Sequence, residues 1–383
     1  MGNQMPDMWN RGTPLKENNT PFDVDWLKSE VGKQFPFYDT RIHGSTIVFF
    51  VRIDDQTLED NFNHLRQRLA ERGYIPLLRY EKGEHLIYII QKPQRREKPR
   101  WINLALLIAT LITTILTGSL IHIGASDLWS ITNFAQVFAL ENLLYGAVFF
   151  SLPLMSILLI HEMGHYFISK RHGITTSLPY FLPIPPILPG FNIGTFGALI
   201  SSGDPMPNKK ALFDVGISGP LAGFLVAIPI TIIGIATSDL VEISQMSSGE
   251  PILGTSLLFL LLVDTLRVIP AGFTINLNAI AFAGWIGLLI TSINLLPAGQ
   301  LDGGHIFRAV LGEKQKYAGW IAVFIMIFTG WTFFAIIIIF LMGMMHPPPL
   351  NDDSALDTKR KLLFFVALGI LLLCFIPFPI FQI

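Results

Sequence analysis

The 383-residue sequence contains one cysteine, Cys374, which excludes an intramolecular disulfide and any cysteine-based zinc or iron–sulfur site. Charge is scarce. Asp, Glu, Lys and Arg make up 14% of the chain, against roughly 25% in an average soluble domain. No excess of positive charge exists, since the formal net charge is −1, so binding to nucleic acid by bulk electrostatics is excluded. The first 30 residues have no apolar segment of the signal-peptide kind, and they carry Asp7, Glu17, Asp23, Asp25 and Glu30, unlike a transit peptide. Pro6 stands where the myristoylation motif begun by Met1-Gly2 requires Ser or Thr. The first hydrophobic helix is therefore expected to act as the insertion signal of a prokaryotic inner membrane protein. No internal repeat is visible.

The charge that is present is unevenly placed. Residues 1–100 hold 16 Lys/Arg and 14 Asp/Glu, whereas the other 283 positions hold only 11 and 14. A soluble front end followed by a membrane domain is the reading. Residues 1–35 are polar and rich in Pro, Asn and Gly, and are expected to be flexible. Residues 36–91 read as a small α+β domain of order βαββ. Its parts are a strand over Ser45–Ile53, a helix opened by Thr57 with Asp60 three residues on, and strands over Tyr74–Tyr80 and His85–Gln91 joined at Lys82-Gly83. Its histidines, His43, His64 and His85, are scattered and form no catalytic set. Residues 92–100 are a linker with five basic residues, Lys92, Arg95, Arg96, Lys98 and Arg100.

Residues 101–383 form the membrane domain. Uncharged or nearly uncharged runs occur at Trp101–Ser126, Asn142–Ile160, Val215–Ser238, Val268–Leu301, Tyr317–Asn351 and Leu362–Ile383. A span needs about 20 apolar residues, so these predict a polytopic α-helical protein with about six transmembrane helices. Pro251–Val263 is too short for a comfortable crossing. The basic linker places the N-terminal domain in the cytoplasm by the positive-inside rule. Lys170-Arg171, Lys209-Lys210 and Lys314/Lys316 agree with this scheme. Lys359-Arg360-Lys361 dissents, because one crossing over 317–351 would put it outside.

The sequence Ile160-His161-Glu162-Met163-Gly164-His165 is an HExxH motif. On a helix, His161 and His165 share a face and can direct two imidazoles at one metal ion. Glu162 lies beside them, placed to take a proton from water. Catalytic zinc commonly has three protein ligands. Among the few acids of the apolar part, Asp302 is the outstanding candidate, in Asn294-Leu295-Leu296-Pro297-Ala298-Gly299-Gln300-Leu301-Asp302-Gly303-Gly304-His305. The other reading of Asp302 is an interfacial acid capping a loop.

These two motifs together resemble the site-2 protease family of intramembrane zinc metalloproteases, over about residues 101–345. Gly194–Ile200 and Gly216–Gly223 also resemble family elements. The details are most similar to the archaeal, cyanobacterial and plastid branch, with neither an inserted PDZ domain nor a C-terminal CBS pair in view. The resemblance implies three core helices holding one Zn2+ per chain through His161, His165 and Asp302, with Glu162 as general base and acid. It implies transmembrane proteins in a lipid bilayer as substrates, and no nucleic acid. Asn294 either stabilises the oxyanion or positions substrate, or it caps the broken helix before Pro297. His305 is either a support for Asp302 or a plain interfacial histidine.

Pro179, Pro183, Pro185, Pro186 and Pro189 exclude a helix over most of Ile174–Ser202. Phe191–Ser201 is strand-like. A membrane-embedded β-hairpin is expected, whose edge residues Gly194, Thr195, Phe196, Gly197 and Ala198 pair with an extended substrate. The competing reading is a connector that only seals the site. A non-enzymatic alternative, a metal or solute transporter, would use the same His and Asp residues as an ion site.

Overall fold

The computed structural model describes residues 23–93, 99–125, 134–187, 193–245, 251–378 and 380–382. The chain divides into two compact units, residues 1–76 with 81–92, and residues 77–80 with 93–383.

The first unit begins with a helix, α1 (Val24–Gln34), capped by the Asp23 carboxylate on the Trp26 N–H. This corrects the flexible reading of 1–35 over residues 23–35, residues 1–22 lying outside the described part. Leu27, Glu30 and Val31 are buried at helical spacing, and that short apolar stripe is enough to hold a helix once it has a core to pack on. The sheet has four strands, β1 (Phe37–His43), β2 (Thr46–Val51), β3 (Tyr74–Glu81) and β4 (Glu84–Gln91), in the order β1-β2-β4-β3. The expected βαββ unit is thus an αββαββ unit. The strand β1 escaped notice because it is polar and mostly exposed, as an edge strand is. Lys82 and Gly83 both have positive φ, 52° and 88°, which is the backbone of a two-residue hairpin turn. The second helix, α2 (Leu58–Ala70), buries Leu58, Phe62, Leu65 and Leu69. Thr57 stands at its N-cap without capping it. Its hydroxyl instead accepts from the Asn61 amide at 3.2 Å.

The second unit is predominantly helical. Among the described residues, three helices are long and apolar enough to cross a membrane: α3 (Trp101–His122), α4 (Leu140–Arg171) and α5 (Lys209–Thr237), with 18-residue windows of mean hydropathy 2.2, 2.2 and 2.1. The protein is an integral membrane protein. Within α4 the stretch Gly146–Ser151 is π-helical. It lies just before Pro153, whose ring would clash with a carbonyl four residues back in a regular α-helix. Shorter helices follow: α6 (Leu257–Leu266), α7 (Ala279–Leu295), α8 (Asp302–Leu311), α9 (Gln315–Phe328), α10 (Thr332–Ile337) and α11 (Thr358–Cys374). At ten residues α6 spans about 15 Å, half of a bilayer core. The helix α5 is central and packs against α4, α7 and α8.

Among the described residues, four strand pairs or sheets punctuate the chain. Besides the first unit's sheet, β5 (Tyr180–Pro183) pairs with β6 (Thr195–Leu199), β7 (Asp239–Glu242) with β9 (Phe273–Asn276), and β8 (Pro251–Leu253) with β10 (Ile380–Gln382), all antiparallel. The last pairing matters for topology, since it puts the end of the chain beside the segment that follows α5.

The run 317–351 is not one helix. The helix α9 ends at Phe328, the chain turns at Gly330 (φ 77°), and α10 with its π-helical extension Ile338–Met342 runs back. Both ends of this helical hairpin meet at Gln315, whose Nε2 donates to Pro297 O at 2.8 Å and whose Oε1 accepts from His346 N at 3.2 Å. The following helix α11 therefore starts beside the start of α5. Arg360 Nε donates to Asp214 Oδ1 at 2.8 Å, and His172, just past α4, meets the same carboxylate at 2.9 Å. The Lys359–Lys361 cluster thus belongs with Lys170-Arg171 and Lys209-Lys210, and the outside placement is corrected.

Candidate metal centre

His161 and His165 are one helical turn apart on α4, and their rings lie 4.9 Å apart between centroids. Asp302 is the first residue of α8, where the helix dipole favours a carboxylate. Its Oδ2 lies 3.3 Å from His161 Nε2 and 3.2 Å from His165 Nε2, and the two Nε2 atoms are 3.2 Å apart. Three atoms from two distant segments thus form a nearly equilateral triangle.

The tautomer of His165 follows from its other nitrogen. Nδ1 lies 2.8 Å from the carbonyl oxygen of Val215. A carbonyl only accepts, so Nδ1 carries the proton and the Nε2 of neutral His165 presents a lone pair to the triangle. A lone pair and a carboxylate oxygen at 3.2 Å repel unless a cation lies between them. A tetrahedral ion with bonds of about 2.0–2.1 Å separates its ligand atoms by about 3.3–3.4 Å, the spacing observed here to within a tenth or two. The donor set of two imidazoles and a carboxylate suits Zn2+. The residues fit the metal, and His161, His165 and Asp302 would hold it.

Glu162 is buried beside His161. Asn294 is the last residue but one of α7, and its Nδ2 lies 3.4 Å from His161 Nε2. Its amide therefore faces the triangle rather than closing a helix end. His305 donates from Nδ1 to Leu301 O at 3.1 Å and lies against His346, with ring centroids 4.2 Å apart. The hairpin residues Gly194 to Ala198 run along β6 and its approach, and β6 contacts α4, the helix of the two histidines. Residues 191 and 192 of the expected strand lie outside the described residues.

The glycines after Asp302 do not make a turn. Gly303 and Gly304 sit inside the first turn of α8, and a Cβ on either would come within 2.1 Å of Leu295 O or 2.4 Å of Gly299 O. They let the helix start press against the broken end of α7. The turn itself is at Gly299, with φ 55°.

Three supports of the site were given no role from the sequence, although Gly216–Gly223 stood out as a family-like segment. One is a stripe of glycines on α5. A Cβ at Gly216 would meet His305 Cβ at 2.7 Å, at Gly219 it would meet His165 Nε2 at 2.0 Å, and at Gly223 it would meet His161 Cβ at 3.1 Å. The spacing of three and four residues, small-side-chain and one-faced, is the available signal. A second is Gln315, fully buried between the loop that leads to Asp302 and the segment Met344–His346. A third is the ion pair of buried Arg308 on α8 with Asp352, at 2.6 Å. Nothing local in the sequence marks these last two.

The profile of peptidase family M50 matches residues 149–334. Among curated proteins, the chain is 29% identical over 242 residues to the rice protein called probable zinc metalloprotease EGY1, chloroplastic, covering 58% of this chain and 39% of that one. It is 26% identical to the Arabidopsis thaliana protein of the same name, covering 94% of this chain and 72% of the relative. It is 31% identical to the Arabidopsis probable zinc metalloprotease EGY2, chloroplastic, over 57% of this chain and 40% of that one. The chain thus spans about two fifths of two of these relatives and nearly three quarters of the third. The matched segment holds α4, α5, α7 and α8, the elements that bring His161, His165 and Asp302 together, and with them the chain carries a peptidase family M50 (site-2 protease) domain.

Proposed function

We propose that the chain is an intramembrane zinc metalloprotease that hydrolyses peptide bonds in or near transmembrane segments of other membrane proteins. The observation that carries this reading is the triangle of His161 Nε2, His165 Nε2 and Asp302 Oδ2 at 3.2–3.3 Å, with Glu162 buried next to it. Bound there, zinc would supply Lewis acidity, polarising a carbonyl and acidifying water. Glu162 takes the proton of the attacking water as its oxygen bonds to the scissile carbon, and returns a proton to the amide nitrogen as the C–N bond breaks. Asn294 donates from Nδ2 to the oxygen that gains charge. Val215 O holds His165 in the tautomer the site needs.

A helical substrate must first be unwound, because its peptide bonds are buried in its own hydrogen-bond ladder. The strand β6 supports such a step. No third strand pairs with β5–β6 among the described residues, and Phe196 on β6 is 74% exposed. An extended substrate segment adds to that edge.

The membrane layout follows from the paired basic segments. With the cytoplasm on the side of Lys170-Arg171, Lys209-Lys210 and Lys359–Lys361, α3, α5 and α11 run outward and α4 and α7 run inward. The α9–α10 hairpin goes out and returns, and α6 stays at the outer face. The N-terminal unit is then cytoplasmic. The names of the relatives place those proteins in chloroplasts, and a prokaryotic cell membrane with the same inside face is our proposal for this chain.

The test is a comparison of wild type with Glu162→Gln, by metal analysis of the purified protein and by fragment proteomics of membranes. One zinc per chain in both, with fragments only in wild type, is the expected result. Equal fragment patterns would sink the protease reading and leave an ion site.

A further inference from the structure

The hairpin β5–β6 is held by α3, a helix that contributes nothing to the metal triangle. Asn103, buried in an apolar stretch, donates from Nδ2 to Leu178 O at 2.7 Å and to Pro179 O at 3.1 Å. These carbonyls immediately precede β5. Ten residues further, Thr113 Oγ1 lies 2.7 Å from Gly194 O, immediately before β6. Thr113 Oγ1 also lies 3.1 Å from the carbonyls of Ala109 and Thr110 in its own helix. A hydroxyl has one proton, and the shortest contact is the one across to Gly194.

Two further features make this a fixed contact. Gly194 has φ 79°, and a Cβ there would lie 2.8 Å from Thr114 Cα, so the hairpin backbone rests directly on α3. Thr114 Oγ1 in turn lies 2.6 Å from Ser151 Oγ on α4. Asn103 and Thr113 are about 15 Å apart along the helix axis, so one helix grips the entry of each strand. A polar stripe of Asn103, Thr113, Thr114 and Thr117, all buried and hydrogen-bonded, runs down a helix with an 18-residue window of mean hydropathy 2.2. Such groups are costly in an apolar helix unless they are bonded.

We propose that Asn103 and Thr113 are positioning residues for substrate: through the two ends of the hairpin they set where the free edge of β6 lies relative to the metal helix α4. This rests on the reading of β6 as the substrate-pairing edge. Gly194 O also accepts from Ile184 N at 3.1 Å and Leu178 O from Ser177 Oγ at 2.9 Å, so removing either clamp does not strand these carbonyls but takes away the bonds that tie that end of the hairpin to α3 and lets the strand shift. A shifted edge weakens ground-state pairing with an extended segment, and leaves the groups that act on the scissile bond in place.

The experiment uses the full-length protein in nanodiscs, with wild type, Thr113→Val, Asn103→Leu, the conservative Thr113→Ser, and Glu162→Gln as the reference for background cleavage. Hydrogen exchange across residues 193–202, metal content, and KM and kcat on a single-span membrane substrate are read. Exchange in the hairpin is expected to speed up roughly tenfold in Thr113→Val and Asn103→Leu, with zinc retained and exchange in 155–170 unchanged. KM rises by a similar factor, kcat changes little, and Thr113→Ser restores both exchange and KM. Wild-type exchange in Thr113→Val overturns the clamp. Faster exchange with an unchanged KM overturns the substrate role. If wild type cleaves no more than Glu162→Gln, the protease reading itself has failed and this proposal falls with it, whatever the exchange rates show. Thr113→Val is close to Thr in shape, so it separates the lost hydrogen bond from misfolding if Asn103→Leu fails to assemble.

Discussion

The metal triangle is built by two segments in opposite ways. The helix α4 presents His161 and His165 from consecutive turns, so their spacing is a property of any α-helix. Asp302 arrives through a helix that stops at Leu295, a turn at Gly299 and a new helix start. Nothing local fixes that path. It is held by Gly303 and Gly304 against the end of α7, by Gln315 on Pro297 O, by the Arg308–Asp352 pair and by His305 against His346. The periodic half of a site is therefore robust to changes around it, and the delivered half depends on remote residues.

The largest expected effects come from the ligands. His161→Ala, His165→Ala and Asp302→Ala each remove one of three donors, and stoichiometric zinc should be lost from the purified protein by metal analysis. If Asp302→Ala keeps full zinc, the delivered half is no ligand. Gly219→Leu should do comparable damage with all three ligand residues kept, because even a Cβ there would sit 2.0 Å from His165 Nε2. Zinc titration against a competing chelator would measure it, and wild-type affinity would show that α5 does not press on the site.

A smaller effect sharpens the contrast. Gln315→Leu leaves Pro297 O and His346 N buried without partners, a loss of about 1–3 kcal/mol in the arrangement of the loop. Zinc affinity should fall by roughly ten- to a hundredfold, with far-ultraviolet dichroism unchanged. A matched Ser156→Ala, on the exposed face of α4, should leave affinity alone. Equal sensitivity to both would erase the distinction between the two halves.

The smallest expected effect lies in the first unit, where no ligand resides. Glu30 is buried, 2.6 Å from Lys33 Nζ and 3.4 Å from Arg68 Nε, and the bond to Lys33, followed by its charge and that of Arg68, holds the carboxyl below its ordinary value against the pull of burial. A depressed pKa stabilises the fold above the unfolded value near 4.5 and stops doing so as pH falls through the folded value. Protection of the amides across 24–34, corrected for the intrinsic pH dependence of exchange, should therefore fall between pH 5 and 3 in wild type, and the fall should be weaker in Glu30→Gln. An identical pH response would remove Glu30 from the cause.

Much of this was readable from local patterns. The i, i+4 histidines, the hydrophobic runs of α3 to α5 and the Lys82-Gly83 hairpin turn each depend on residues close in sequence. The edge strand β1 and the helix α1 were not readable, because β1 is polar and mostly exposed although it pairs with the next strand, and α1 has only a short apolar stripe that needs a core to pack on. The run 317–351 was misread for a related reason. Apolar residues fill it throughout, and only the contacts at Gln315 show that its two ends meet.

By itself the sequence determined that two imidazoles and a glutamate share a helix in an apolar segment, since 3.6 residues per turn leave no other choice. It also singled out Asp302 by scarcity, as one of few acids in a domain with little charge. The tertiary structure decided that Asp302 Oδ2 reaches within 3.3 Å of both Nε2 atoms, that Asn294 turns toward them, and that Lys359–Lys361 lies with the other basic segments. Those outcomes depend on close packing of glycines against side chains and on buried hydrogen bonds across more than a hundred residues, and such pairings leave no period in a sequence.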